Sequence, residues 1–170
     1  ASYVLSDGSG ENLCGFLDAD AALGADLIFG FAPQASYVLS DGSGGTVTVR
    51  MHTAKASLSP VRDGGETAVR VAVRVRAGVT ESSGADTGDA AMLARLEEAL
   101  SRAVTAQIEA AVEASMDLDA DFLELWRVLP EVKDEGVLSS LRAFVQTESV
   151  LERSYDIYGS AHGEEERKHG

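Results

Sequence analysis

Few residues in this chain have the type and spacing that chemistry needs. Its 170 residues include three histidines, one cysteine and one tryptophan. Asp117-Leu118-Asp119-Ala120-Asp121 has the alternating carboxylates that open a calcium loop, with helical patterns on both sides. Such a loop also needs a glycine at its sixth position to turn the backbone and a bidentate glutamate at its twelfth to close the coordination shell. Phe122 and Val128 stand there, so the triplet reads as a helix break in which Asp119 or Asp121 caps the next segment. Gly8-Ser9-Gly10 and Gly42-Ser43-Gly44 begin like dinucleotide loops. Leu13 and Val47 occupy the place of the third glycine, which would allow close helix packing. Cys14 has no second cysteine to pair with and no His or Lys near it in sequence to stabilise a thiolate. It reads as a small buried or half-buried side chain. His52 reads as a solvent-face strand residue, and His162 and His169, which flank three glutamates, are too unspecific to define a metal site. There is no Walker loop, no Gly-x-Ser-x-Gly elbow and no His-Glu-x-x-His pair. The residues therefore assign no catalytic group, cofactor or metal.

What remains is the chemistry of surface charge. Arg70, Arg74 and Arg76 alternate with Val69, Val71, Val73 and Val75, and period-two alternation with β-branched residues is the signature of a half-buried strand. The valines then face a core and the arginines face solvent or another surface. This stretch is also where the charge reverses. The chain carries 14 Lys+Arg against 28 Asp+Glu, a net charge of −14, yet residues 51–80 hold five bases and two acids. Residues 81–130 hold eleven acids and three bases. That balance excludes a general nucleic-acid binder, which needs a basic surface to neutralise phosphates, and it disfavours docking on anionic lipid. The candidate contact surfaces are the arginine face (Arg70, Arg74, Arg76) and the acidic loop around Glu81, Asp86 and Asp89.

The elements that position these residues follow from the pattern. Thr46 to Leu58 alternates, with Val47, Val49 and Met51 on one face and Thr48, Arg50 and His52 on the other. It is joined to the arginine strand through Ser59–Gly65, where Pro60, Asp63-Gly64 and Gly65 make a turn, so the two strands are expected to pair antiparallel. Asp89 caps a helix over about Ala90 to Met116, in which Leu93, Leu96, Leu100, Val104 and Ile108 line one face. Its roughly 27 residues extend about 40 Å. Asp18 caps a short helical turn ending at Gly24, and Leu27–Phe31 reads as extended or buried. Phe122, Leu125, Trp126 and Leu129 read as the apolar stripe of another helical stretch, and Pro130 ends that stretch or starts the next one. Val137–Val145 fits helix or strand, and Val150–Tyr158 reads as a final strand. The fold class is α+β: a mainly antiparallel sheet packed against a long helix and shorter helices. Residues 1–160 form one domain and residues 161–170 a polar tail.

Residues 1–10 recur without a mismatch as residues 35–44. Two copies of ten residues do not make a solenoid, whose repeats fill the whole period. They read as the starts of two β-hairpins, or as a copied stretch foreign to the fold.

The order of segments resembles the Ger(x)C family, the C-terminal domain of the C subunit of bacterial spore germinant receptors. Four stretches carry the resemblance over roughly residues 11 to 160. Leu13-Cys14-Gly15-Phe16-Leu17-Asp18 is similar to the family's Leu-x-Gly-aromatic-Leu stretch. The strand pair Val47–Leu58 and Val69–Ala77 closes in Gly78-Val79-Thr80-Glu81. Leu96-Glu97-Glu98-Ala99-Leu100 opens a helix that runs into Ala120-Asp121-Phe122-Leu123. Trp126, Leu129 and Pro130 then precede a last strand. Glu124 stands where the family has a glycine, and Val132 where it has an aromatic. The resemblance favours extended chain from about Leu141. Gly15, Leu17, Asp121 and Trp126 would be its structural motif residues.

The resemblance implies a non-enzymatic interaction domain acting in nutrient-triggered germination through contacts with the other receptor subunits, the A-type and B-type membrane proteins. It implies a location on the outer face of the spore inner membrane, within a subunit held by a lipid anchor that this chain does not carry. The chain itself is expected to be soluble. The competing expectation is a small-molecule-binding or hydrolytic domain with a cryptic carboxylate site, which would require a deep apolar pocket with two convergent carboxylates.

Overall fold

The structure, a computed structural model, describes residues 3–6, 13–31, 34–84 and 87–152, with the side chains of 3–6, 13, 14 and 63 left aside. The element order is β1 (Tyr3–Ser6), β2 (Leu13–Leu17), α1 (Ala19–Ile28), β3 (Ser36–Ser40), β4 (Thr46–Asp63), β5 (Glu66–Ser82), α2 (Ala90–Asp117) and β6 (Arg142–Glu152). Three short 3-10 turns, Leu125–Arg127, Pro130–Lys133 and Leu138–Ser140, lie between α2 and β6. A four-stranded sheet runs β3-β4-β5-β6, antiparallel except for the parallel β5–β6 pair, and β1 and β2 form a separate antiparallel ribbon. The expected α+β class is what the fold shows. Both repeat copies supply the first strand of a hairpin, β1 with β2 and β3 with β4.

The long hairpin β4–β5 turns more tightly than expected. Strand continues through Pro60, paired opposite Val69, to Asp63, and the turn is Gly64-Gly65 alone. Both glycines have positive φ, 59° and 88°, as a two-residue type I′ turn requires. Pro60 is tolerated because β3 pairs only with Thr46–Arg50. Beyond that point β4 is a sheet edge, where a missing N–H costs no ladder bond.

Helix α2 matches its expectation, with Asp89 accepting hydrogen bonds from the Ala91 and Met92 N–H groups, each at 3.3 Å. Its 28 residues extend about 42 Å. Leu96, Leu100, Val104 and Ile108 are fully buried against the inner sheet face, which offers Val47, Val49, Val69, Val71, Val73 and Val75. Helix α1 lies in the same layer. Asp18 caps it as expected, by accepting from the Ala21 N–H at 2.8 Å.

Gly24, however, does not end α1. It is buried mid-helix, and Leu27 and Ile28 belong to the helix rather than to an extended segment. A Cβ at Gly24 would stand 1.9 Å from the Gln107 carbonyl oxygen of α2. The glycine is thus a close-approach residue, and local propensity read it as a stop. The Gln107 side chain accepts a hydrogen bond from the Tyr37 hydroxyl at 2.7 Å, tying β3 to the same point. Burial of Tyr37 pushes its phenol up to about 12.

Two further expectations are corrected. Phe122–Leu129 is not a helical stretch but a bend and a 3-10 turn, and Pro130 opens the following turn. Leu123, Leu125 and Leu129 are buried, while Trp126 is 40% exposed and does not join the core. The last described strand is Arg142–Glu152, in line with extended chain from about Leu141. The part of the expected Val150–Tyr158 strand after Glu152 lies outside the described residues. Strand β6 lacks clear apolar alternation because its inner face uses hydroxyls. Thr147 bonds Thr105 and Ser149 bonds Ser101, both at 2.8 Å, so a half-buried and a buried hydroxyl face α2 with their partners supplied.

Candidate functional site

Alternation decides which side chains the sheet presents. On β5 the valines are buried, while Arg70, Arg74 and Arg76 project from the opposite face. Both helices pack on the valine side, so among the described residues no helix or strand covers the arginine side. An antiparallel sheet can keep one face in water in this way.

The register assembles the rest of this outer face. Lys55 on β4 and Glu148 on β6 flank Arg74, Thr53 and Val150 flank Arg76, and Ser59 and Phe144 flank Arg70. Arg50 lies opposite Gly78, whose neighbour on the other side is Glu152. A bulge between Met51 and Thr53 resets the alternation of β4: Met51 and Ala54 are both buried, and Lys55 falls on the outer face with Arg50. His52, at the bulge, packs beside Gly78, where a Cβ would meet its Nε2 at 2.6 Å. It is exposed, as expected for a solvent-face strand residue.

Two of the three arginines have partners. Arg74 Nε lies 3.4 Å from Glu148 and an Arg76 amino group 2.6 Å from Glu152. The first pair is solvent-exposed and the second partly so, the class worth about 0–1 kcal/mol. Among the described residues Arg50, Lys55 and Arg70 have no ion-pair partner. Two shallow grooves, of about 390 and 660 Å³, meet at Lys55, Arg74 and Glu148. Ser57 and Ala72 floor the first, and Val150 borders the second.

Among the described residues neither Glu81 nor Asp89 forms an ion pair with these arginines. Glu81 is exposed near the end of β5, opposite Thr48. Asp89 is engaged as the α2 cap, and Asp86 lies outside the described residues.

Gly15 makes room for Leu118 at the end of α2, since a Cβ there would lie 2.6 Å from a Leu118 methyl. Leu17 is buried with Ala21 and Ala22 in a small second core. Asp121 accepts from the Leu125 and Trp126 N–H groups at 2.8 and 2.9 Å and so caps the first 3-10 turn, as the helix-break reading expected. Trp126 carries the Lys133 ammonium 4.2 Å from its ring centre. Glu124, where the resemblance expects a glycine, has φ +57°. The left-handed backbone is therefore present without the residue that adopts it freely.

Asp41 was missed as a structural carboxylate. It is buried and accepts from the Ser43 N–H and hydroxyl and the Gly45 N–H. The Ser43 N–H, foremost among these donors, holds its carboxyl below the usual range. Its signal was the Asp-Gly-Ser-Gly turn itself. Arg50 was placed on the outer side from alternation but not joined to the arginine face. Lys55, Phe144 and Val150 were missed because a bulge and a pairing between distant strands leave no local trace.

Among the described residues no three His, Cys, Asp or Glu side chains cluster in a metal-holding arrangement, and no helix is long and apolar enough to cross a membrane. The Cys14 side chain and the histidines of the tail lie outside what is described.

This arrangement defines a two-layer α+β domain whose sheet is covered by helices on one side and open on the other. The GerBC protein, known from a crystal structure, shares that fold with a TM-score of 0.70 at 16% identity over 84% of this chain. The chain belongs to the family described as spore germination B3/GerAC-like, C-terminal, whose pattern matches residues 7–132, and that membership assigns it to spore germination. It spans about half of the GerBC chain, 48%. No curated protein matches it.

Proposed function

We propose that this chain is a non-enzymatic interaction domain of a germinant receptor C subunit, acting through contacts with the A-type and B-type partner subunits. The observation that carries the reading is the open sheet face: a platform, backed by an apolar core, that presents cations without ion-pair partners among the described residues on a strongly acidic chain. Membership in a spore germination family supports the receptor context. The described carboxylates with the firmest local roles, Asp18, Asp41, Asp89 and Asp121, are occupied by backbone N–H groups, which favours contact over hydrolysis. In this reading the domain works on the outer face of the spore inner membrane, within a subunit tethered there by lipid.

The test is co-purification. Full-length subunit carrying this domain is solubilised from spore inner membranes and captured by a tag, and the partner subunits are detected by mass spectrometry. Retention of both partners, lost when this domain is deleted, is the expected result. Equal retention by the deleted form would refute a docking role.

A further inference from the structure

We propose that the outer face of β4, β5 and β6 is the docking surface for one extended acidic protein segment. This rests on the contact function just proposed and gives it a place and a chemistry.

Three observations carry it. The first is charge: Arg50, Lys55, Arg70, Arg74 and Arg76 share this face on a chain of net charge −14, and three of them have no ion-pair partner among the described residues. The second is spacing. Arg70 to Arg76 spans about 20 Å of strand, with Arg74 and Arg76 about 7 Å apart, which is the period of alternate side chains in another extended chain. A segment with carboxylates at every second residue therefore matches β5 in register. Arginine also suits it, because its planar fork takes a carboxylate with two parallel hydrogen bonds. The third is the border: Phe144 and Val150, 45% and 47% exposed, stand on β6 beside the cations and offer apolar anchors.

Other occupants fit less well. Glu148 and Glu152 lie within the same face. A peptide can place its carboxylates to avoid them, whereas a continuous sheet of lipid phosphates cannot. A second copy of this chain would have to bring its acidic helices, which lie on the far side of its own sheet. That contact is head-to-tail and propagates into filaments unless its rotation closes a ring.

The experiment places a photo-cross-linking amino acid at Ser57 or Gln146, two residues lining the first groove, in the full-length membrane-bound subunit. Glu109, on the opposite layer, is the control position. The expected product is one cross-linked peptide rich in Asp and Glu, formed from the groove positions only. Its yield should fall at least tenfold in the Lys55→Glu/Arg70→Glu variant, whose circular dichroism stays that of the parent. No groove product, a lipid adduct, a product with a second copy of the subunit, or a yield unchanged by charge reversal would overturn the proposal. If the partners co-purify but the groove positions stay silent, docking stands and this surface fails. An acidic peptide from a protein that is not a receptor subunit would keep the surface and refute the receptor reading.

Discussion

Replacing Gly24 by alanine sets helix propensity against packing, with opposite signs. In an isolated helix the change stabilises by about 0.8–1 kcal/mol. Here the new Cβ would lie 1.9 Å from the Gln107 carbonyl oxygen, where ordinary contact begins at 3.4 Å. The obstacle is backbone, so no side-chain rotation relieves it, and α1 must shift by more than 1 Å from α2. Overpacking of this kind costs about 1–3 kcal/mol, occasionally more. The shift also loosens Leu27, Ile28 and Ala25, which are buried in the main core, and re-exposing even part of one such large side chain removes about 1 kcal/mol. Net destabilisation of about 2 kcal/mol is expected. Urea denaturation followed by far-ultraviolet circular dichroism should show the midpoint falling by roughly 1 M, given slopes of about 1–3 kcal/mol/M. An unchanged or higher midpoint would refute the claim that this glycine exists for helix–helix approach.

Other outcomes follow from single residues. Glu124→Gly should raise stability by about 0.5–1 kcal/mol, because relief of the left-handed backbone outweighs the loss of the exposed pair with Arg127; a lower melting temperature would contradict it. Tyr37 has a phenol pKa raised to about 12 by burial, so the stability from its protonated form is complete below its unfolded value near 10 and is lost as pH rises towards 12. Tyr37→Phe should flatten the fall of the denaturation midpoint across that window, and an unaltered slope would count against it. Ser101→Ala leaves the buried Ser149 hydroxyl without its partner and should cost about 1 kcal/mol, while adding Ser149→Ala should recover part of that loss; strict additivity in the double-mutant cycle would show no coupling.

Strand β5 and the long helix were legible because each keeps one period along the chain. Val69–Val75 alternates cleanly, and Leu96, Leu100 and Val104 recur at helical spacing. Three features escaped because their causes are not local. Gly24 looks like a helix stop until Gln107, 83 residues later, is brought against it. Strand β6 hides because its half-buried Thr147 and buried Ser149 are satisfied by partners on α2. The arginine face was legible on β5, but its neighbours Lys55, Phe144 and Val150 join it through a bulge and a parallel crossover that carry no local sequence pattern. Glu124 is the reverse case. The family resemblance marked the position, and the backbone there is the one that glycine favours.

The most direct measurement is nutrient-triggered germination of spores whose full-length subunit carries Arg70→Glu and Arg74→Glu. Both side chains are exposed, so the subunit should accumulate at its normal level. Docking through the open sheet face predicts that these spores lose their response to the nutrient while still germinating when a receptor-independent stimulus is applied. A normal nutrient response from spores with normal subunit levels would contradict it.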